Sequence, residues 1–180
     1  SHKENMRPGG VSSQTNIIVM CDHAGTHVDA PIHFNPDGTT IDQMPLDLMV
    51  GEAVALDFTD KKSGDAVTVE DVDKKLKDAA IDPGQIKAIL FKTGAGPLYG
   101  TDQYYQHYLE IHHETVRWMA SRGIKLWGVD ASTIDSAPKR ETHMLLRELE
   151  FYHMENLANL DALPVNMTFT LACVALPFVG

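Results

Sequence analysis

Several features that define common protein classes are missing from this chain. It has two cysteines in 180 residues, too few for a disulfide framework. It has no run of eighteen apolar residues, so no transmembrane helix is expected. Basic residues are scarce, with 15 Lys and Arg against 25 Asp and Glu, and the net charge of −10 disfavours binding to nucleic acid. The first residues are polar and do not resemble a signal peptide. Together with the low cysteine content, the acidic charge and the lack of long apolar runs, this leads us to expect a cytoplasmic protein without nucleic-acid or membrane partners.

The chain also lacks the short motifs of several large enzyme classes. It contains no Gly-x-Ser-x-Gly nucleophile elbow, no His-Glu-x-x-His zinc helix and no Gly-Lys-Ser/Thr phosphate loop. A serine hydrolase, a metalloprotease of that type and a P-loop protein therefore have little support.

A dense group of histidines is present near the N-terminus. Three histidines and one aspartate lie within eleven residues: His23, His27, Asp29 and His33. Imidazole nitrogens and carboxylate oxygens are ligands that suit Zn²⁺ and Mn²⁺. A straight strand would spread these side chains over roughly 33 Å at about 3.3 Å per residue, too far for one ion. We therefore predict a compact metal-binding loop that turns at Gly25 and Pro31. Cys21 could add a soft ligand, but a buried structural thiol is the favoured interpretation.

The segment from His23 to His33 resembles the His-x-Gly-Thr-His-x-Asp-x-Pro-x-His signature of the metal-dependent cyclase family, with every fixed position matched. This family includes bacterial kynurenine formamidases and isatin hydrolases. The resemblance covers roughly residues 16–178 and extends to His143 and Glu155, which are twelve residues apart. It implies a single α/β domain of the swivelling β/β/α type, with helices packed on a mixed central sheet.

The resemblance also implies a site for one or two divalent ions, Zn²⁺ or Mn²⁺. The first ion would be held by His23, His27 and Asp29. The second would be held by Asp29, His143 and Glu155, with Glu155 also touching the first. The same resemblance gives His33 a role in proton transfer, although the residues alone leave open that it is another ligand.

Other residues near these positions are expected to have supporting roles. Phe34, Thr93 and Gly94 are expected to line the substrate pocket. Asp130 and Asp135 are expected to be structural and close to the site. His153, two residues before Glu155, is expected to be structural or solvated.

The function that the resemblance implies is metal-dependent hydrolysis of a non-peptide C–N amide bond. An aryl formamide such as N-formylkynurenine is the favoured substrate, ahead of the cyclic amide isatin or a lactone. A non-catalytic metal-binding protein is the alternative from a different class, and a free base at His33 disfavours it. The resemblance further implies an aromatic small-molecule substrate and a homodimer or higher homo-oligomer.

The pattern along the chain predicts a polar arm over residues 1–15 and one hydrolase domain over 16–180. Strands are predicted over 16–20, 52–59, 86–91, 125–129 and 168–176, the last in the centre of the sheet. Helices are predicted to follow the N-cap Thr68 and to cover about 109–121 and 141–149. Because strands alternate with helices, the expected class is α/β.

Overall fold

A six-stranded mixed sheet forms the centre of the molecule, in a computed structural model that describes residues 15–135 and 140–178. Its strands are β1 (His27–Asp29), β2 (Val50–Asp57), β4 (Ala88–Lys92), β6 (Leu126–Val129), β7 (Tyr152–Glu155) and β8 (Thr168–Ala172). A separate pair consists of β3 (Ala66–Val67) and β5 (Glu110–Ile111). The helices are α1 (Leu46–Met49), α2 (Val69–Asp78), α3 (His113–Ser121) and α4 (Glu141–Leu149).

The strand order is β1-β7-β6-β4-β2-β8. The four inner strands run parallel to one another, and the two edge strands are antiparallel to their neighbours. Parallel neighbours need crossover connections, which helices α2, α3 and α4 and the loops between them supply. The predicted single-domain α/β fold with a mixed sheet and packed helices is confirmed.

Apolar side chains cover both faces of the sheet. In β2, Val54 and Leu56 face one cluster of buried residues, and Ala53 and Ala55 face the other. The first cluster includes Val72 of α2, Val116 of α3 and other helical residues. Inner strands buried on both sides are typical of parallel sheets, so this packing holds the carboxyl ends of the strands in fixed positions.

Helix α2 begins as predicted. Thr68 is its N-cap, and Asp71 completes a reciprocal capping box in which each side chain accepts from the other residue's backbone N–H. Helix α3 begins later than predicted, at His113, with His112 as its N-cap. Residues 110–111 instead pair with 66–67, because backbone pairing in β5 outweighs the helical pattern there.

Two strand predictions are wrong. Residues 168–176 were expected in the centre of the sheet, but β8 lies at its edge and ends at Ala172, with alternating exposure. Residues 16–20 form no strand, and Ile17 and Val19 are 95% and 93% exposed. An apolar run predicts a strand only where a neighbouring strand is available to pair with it, and this run has none among the described residues.

The two cysteines also differ from each other. Cys21 is exposed, so the expectation of a buried thiol is wrong there, whereas Cys173 is buried and its pKa is raised to about 11 by burial. The polar arm over residues 1–15 lies almost wholly outside the described residues and stays a prediction. Within the described ranges, no helix combines the length and apolar character needed to cross a bilayer.

Candidate metal centre

The pairing of β1 with β7 brings together two parts of the chain that carry candidate ligands. In this antiparallel pair, His27 lies opposite Glu155 and Asp29 lies opposite His153. Side chains alternate between the faces of a sheet, so these four project to the same side. Val28, between the two β1 donors, packs against the core on the other side. The β1–β7 edge of the sheet therefore places two imidazoles and two carboxyl groups close together on one face.

The first group of donors consists of His23, His27 and Asp29. The Asp29 Oδ1 atom lies 3.3 Å from His27 Nε2 and 3.5 Å from His23 Nε2. His27 Nδ1 lies 2.8 Å from the carbonyl oxygen of Gly25. A carbonyl only accepts, so Nδ1 carries the proton and Nε2 presents its lone pair to the group.

The loop that carries these residues turns where the sequence indicates. Gly25 has a φ of +69°, in the left-handed region that glycine adopts without steric cost. Pro31 opens a one-turn 3₁₀ helix, Pro31–His33, which returns the chain towards His23. His23 Nε2 then lies 2.8 Å from His33 Nδ1. The predicted compact loop with turns at Gly25 and Pro31 is confirmed.

The second group of donors consists of Asp29, His153 and Glu155. His153 Nδ1 lies 3.9 Å from Asp29 Oδ2 and 3.8 Å from Glu155 Oε1. Asp29 thus belongs to both groups, with Oδ1 towards the first and Oδ2 towards the second. This division of its two oxygens is the arrangement that a carboxylate bridging two ions requires.

The electrostatics of the cluster are those of a site with surplus negative charge. Burial raises the pKa of Glu155 to about 8, and the nearby Asp29 charge adds to this shift. Burial also acts to raise the pKa of Asp29, but the contact with His27 and the other surrounding histidines lower it overall. Burial lowers the pKa of His27, yet its contacts with Asp29 and the Gly25 carbonyl reverse the shift.

Several buried polar atoms in the cluster have no hydrogen-bond partner among the described residues. They are His27 Nε2, Asp29 Oδ1 and both ring nitrogens of His153. Buried polar groups are almost always paired, and each unpaired one costs about 1–3 kcal/mol. A divalent cation satisfies nitrogen and carboxylate donors of this kind together, so the residues present fit the metal that the resemblance implies.

His33 lies beside the first group and belongs to neither. Its ring is exposed, packs edge-on against Phe34 at 4.5 Å between centroids, and contacts His23. Partial burial lowers the pKa of His33, and the neighbouring Asp29 opposes that shift. The imidazole is therefore neutral at pH 7, the state that accepts a proton. Its role in proton transfer stays a prediction.

His143 is held by Asp135 rather than placed in either donor group. His143 Nδ1 lies 2.5 Å from Asp135 Oδ1, and the backbone N–H groups of Thr142 and His143 donate to Asp135 Oδ2. Burial acts to raise the pKa of Asp135, but these bonds lower it overall. The contact between Asp135 and His143 Nδ1 orients the ring and leaves Nε2 available to a metal, as is usual for metal-binding histidines. Ligation by His143 therefore stays a prediction.

Thr93 and Gly94 are tied to Asp130. The backbone N–H and hydroxyl of Thr93 donate to Asp130 Oδ1, and the N–H groups of Gly94 and Gly96 donate to Oδ2. The Thr93 hydroxyl is thus occupied in holding the loop after β4. Phe34, by contrast, lies between His33 and His143, with 5.4 Å between its ring and that of His143. The pocket role of all three stays a prediction.

Sequence reasoning missed two features of this site. Asp135 was expected to be structural and near the site, but its specific contacts, which accept from the first turn of α4 and orient His143, were not foreseen. His153 was expected to be structural or solvated, yet it is fully buried and faces Asp29 and Glu155. The available signal for His153 was its spacing of two residues from Glu155, which places both side chains on one face of a strand. This spacing indicates a shared site only when β7 is known to pair with β1.

Comparisons with known proteins agree with the signature. A family model described as "Putative cyclase" matches residues 2–136. The kynurenine formamidase of Salinibacter ruber is 28% identical over 163 residues, which are 89% of this chain and 72% of that protein. Isatin hydrolase A from Labrenzia aggregata, bound to benzyl benzoate, superposes with a TM-score of 0.76 at 25% identity, covering 89% of this chain and 70% of that one. A structure described as a potential metal-dependent hydrolase with cyclase activity gives a TM-score of 0.64 at 28% identity, covering 82% and 68%.

Proposed function

Since this chain belongs to the cyclase family and is a metal-dependent hydrolase of non-peptide C–N bonds, we propose that its substrate is an aryl formamide of the N-formylkynurenine type. The supporting observation is the pair of donor groups that share Asp29, with the free base His33 beside them. A site that only stores metal has no use for such a base. Catalysis is therefore favoured over a non-catalytic metal-binding role.

We propose that His23, His27 and Asp29 hold one divalent ion, and that Asp29 and Glu155 hold a second with His143. The donor set of nitrogens and carboxylates suits Zn²⁺ or Mn²⁺. When bound, such ions lower the pKa of a coordinated water to about 7 and polarise a carbonyl. Proton transfer and positioning of the substrate are assigned to side chains of the protein.

His33 is the residue placed to move protons in this proposal. As a neutral imidazole it takes a proton from the attacking water and later gives it to the leaving nitrogen. One water is consumed, a C–O bond forms, the C–N bond of the formamide breaks, and an aryl amine, formate and one proton are released. Phe34, whose ring touches His33, offers an apolar surface against which an aromatic leaving group packs.

Isatin is the second candidate substrate, because the isatin hydrolase from Labrenzia aggregata has a similar fold over most of this chain. Its cyclic amide would be opened by the same attack of water on a carbonyl. The aryl formamide stands first because kynurenine formamidases are among the relatives, and that of Salinibacter ruber matches 89% of this chain. A lactone requires the same chemistry without a leaving nitrogen, and no separate observation favours it.

Hydrolysis assays on both compounds test the proposal. N-formylkynurenine and isatin are each followed by absorbance, using protein loaded with Zn²⁺ or Mn²⁺, and then after removal of metal with a chelator. We expect faster turnover of N-formylkynurenine, loss of turnover with chelator, and recovery when one of the two metals is restored. The metal that restores activity identifies the ion.

A matched pair of histidine variants provides the control. His27→Ala removes a donor of the first group and should lose both metal and activity. His113→Ala removes a histidine whose neighbours are Glu114 and Glu141, outside both groups, and should keep both. Turnover of isatin but not of N-formylkynurenine would contradict the proposed substrate. Turnover that the chelator does not reduce would contradict the proposed metal-dependent mechanism.

We also propose a cytoplasmic homo-oligomer, most simply a two-fold dimer in which a neighbouring chain closes the site. The low cysteine content supports the location. The assembly is supported by an exposed apolar run, residues 17–20, which directly precedes the metal loop. Exposed apolar stretches of this kind are typical of protein–protein contacts.

A further inference from the structure

His153 occupies an unusual position in the sheet. It lies on β7 opposite Asp29, its side chain is fully buried, and its ring lies 4.4 Å from the ring of Trp127 on β6. Neither ring nitrogen has a hydrogen-bond partner among the described residues. An aliphatic residue would fill the same space without leaving two polar atoms unpaired, so packing alone does not account for a histidine here.

The distances around His153 Nδ1 distinguish a hydrogen bond from shared coordination of one metal ion. Separations of 3.8 and 3.9 Å from Glu155 Oε1 and Asp29 Oδ2 are too long for hydrogen bonds, which fall near 2.7–3.2 Å. Ligands that each lie about 2.0–2.2 Å from one ion are separated from one another by roughly 3–4.3 Å. The spacing therefore matches three donors that share an ion.

The chemistry of the three donor residues, His153, Asp29 and Glu155, also favours a shared ion. Both nitrogens of the buried His153 ring lack a hydrogen-bond partner among the described residues, and Nδ1 is the nitrogen that faces Asp29 and Glu155. A ring whose Nδ1 carries the lone pair presents it to two carboxyl oxygens, an arrangement that a cation between the three atoms stabilises. A single cation would therefore satisfy His153 Nδ1 together with the two carboxyl oxygens.

We propose that His153 Nδ1 is a ligand of the second ion, together with Asp29 and Glu155. This inference rests on the proposed metal-dependent function and adds a donor to it. With His143 the second ion would have four protein ligands, which is the closed set typical of structural sites. The first ion, with three, would keep the open position that a reacting water needs. The two ions would then have different tasks, the second holding β1 against β7.

The test is the metal content and affinity of His153→Phe, a change that removes both nitrogens and keeps a ring against Trp127. Wild-type protein is expected to hold two ions per chain after dialysis, and the variant one, with the affinity for the second ion reduced by at least about 10-fold. Met154→Leu, which alters the same strand on its opposite, core-facing side, is the matched control and should keep both ions.

Thermal unfolding of metal-free protein separates ligation from packing. If His153 is a ligand, the metal-free variant should be at least as stable as metal-free wild type, because two unpaired buried atoms have been removed. The stabilisation gained on adding Zn²⁺ should be smaller in the variant. Equal stoichiometry and affinity in His153→Phe and wild type would overturn the inference.

Anomalous diffraction from zinc-loaded wild-type crystals decides the question if the variant fails to fold. An ion within about 2.3 Å of His153 Nδ1 supports the inference, and ions that all lie farther than about 3 Å from it overturn the inference. Failure of the proposed function is a different result: wild-type protein would then bind no divalent ion, or hydrolyse its substrate equally well without one.

Discussion

His33 is the single residue on which the proposed chemistry most depends. It touches His23 of the first donor group, lies outside both groups, and is accessible from solvent. Burial at its inner side keeps its pKa below the ordinary value, so the base is available at neutral pH. These properties suit a proton carrier, because an accessible imidazole beside the donor atoms can exchange protons both with a bound water and with solvent.

We predict that His33→Ala keeps its metal and loses turnover by about 10²–10⁴, the usual contribution of a general acid–base group. The measurement combines metal analysis with steady-state kinetics on the best substrate. His113→Ala serves again as the histidine control. Parallel loss of metal and activity would show that His33 is a ligand, the alternative that the sequence left open.

The sequence located part of the cluster because the donors of the first group are close together in the chain. His23, His27 and Asp29 are separated by a few residues, so local turn chemistry was enough to bring them together. Asp29 and Glu155 meet only through the pairing of two strands, and no local pattern encodes that pairing. His153 was missed for the same reason, since its partners lie on another strand.

At the scale of single elements, α2 shows how local rules succeed. Thr68 and Asp71 satisfy each other's backbone groups at the start of the helix, and Val72 and Leu76 bury its apolar stripe. Asp71 also pairs with Lys61 at 2.9 Å. Burial acts to raise the pKa of Asp71, but these contacts lower it overall. The ionised Asp71 carboxylate therefore stabilises the folded protein above pH 3.8, the pKa of an ordinary aspartate. This contribution is lost as the pH falls through the lower pKa that Asp71 has in the folded protein.

We predict that Thr68→Ala lowers the free energy of unfolding by about 0.5–2 kcal/mol, because the N-cap oxygen is lost. Chemical denaturation at pH 7 measures this change. Thr68→Ser keeps the hydroxyl and should cost much less, which separates the cap from the general effect of a substitution. Equal losses in the two variants would mean that packing of the threonine methyl, rather than capping, stabilises the start of α2.

Strand predictions failed where the deciding interaction was not local. The apolar character of residues 168–176 was interpreted as burial on both faces, but β8 is an edge strand with only alternate side chains covered. Residues 16–20 have β-branched side chains and remain outside the sheet among the described residues. Composition indicates that a segment is suited to a strand, whereas its place in a sheet depends on which neighbours reach it.

At the scale of the whole molecule, residues 17–20 form an exposed apolar run beside the candidate metal centre. Ile17, Ile18, Val19 and Met20 are between 65% and 95% exposed. Such a stretch next to the candidate metal centre fits the proposal that a second copy of the chain covers it. The interface would then lie close to the site, and association and activity would be linked.

We predict that light scattering gives at least twice the chain mass of 19.9 kDa, and that Ile17→Asp with Val19→Asp shifts the protein towards monomer. Charges placed in an apolar interface are costly to bury, which is the reason for the shift. Leu46→Asp, at another exposed apolar position, is the control and should leave the mass unchanged. A wild-type monomer with full activity at nanomolar concentration would contradict the proposal.

The hydrogen bond from the Thr26 hydroxyl to the Asn156 carbonyl joins residues 130 positions apart, beside the β1–β7 pair. On a ribosome that adds about 5–20 residues per second, the histidine loop waits roughly 7–26 s before its partner strand is even synthesised. Closing so long a segment is also entropically slow, as in other topologies of high contact order. Throughout that interval the nascent chain offers only an incomplete donor set. If the cluster holds metal as proposed, its full donor set exists only after β7 has been synthesised and has paired with β1.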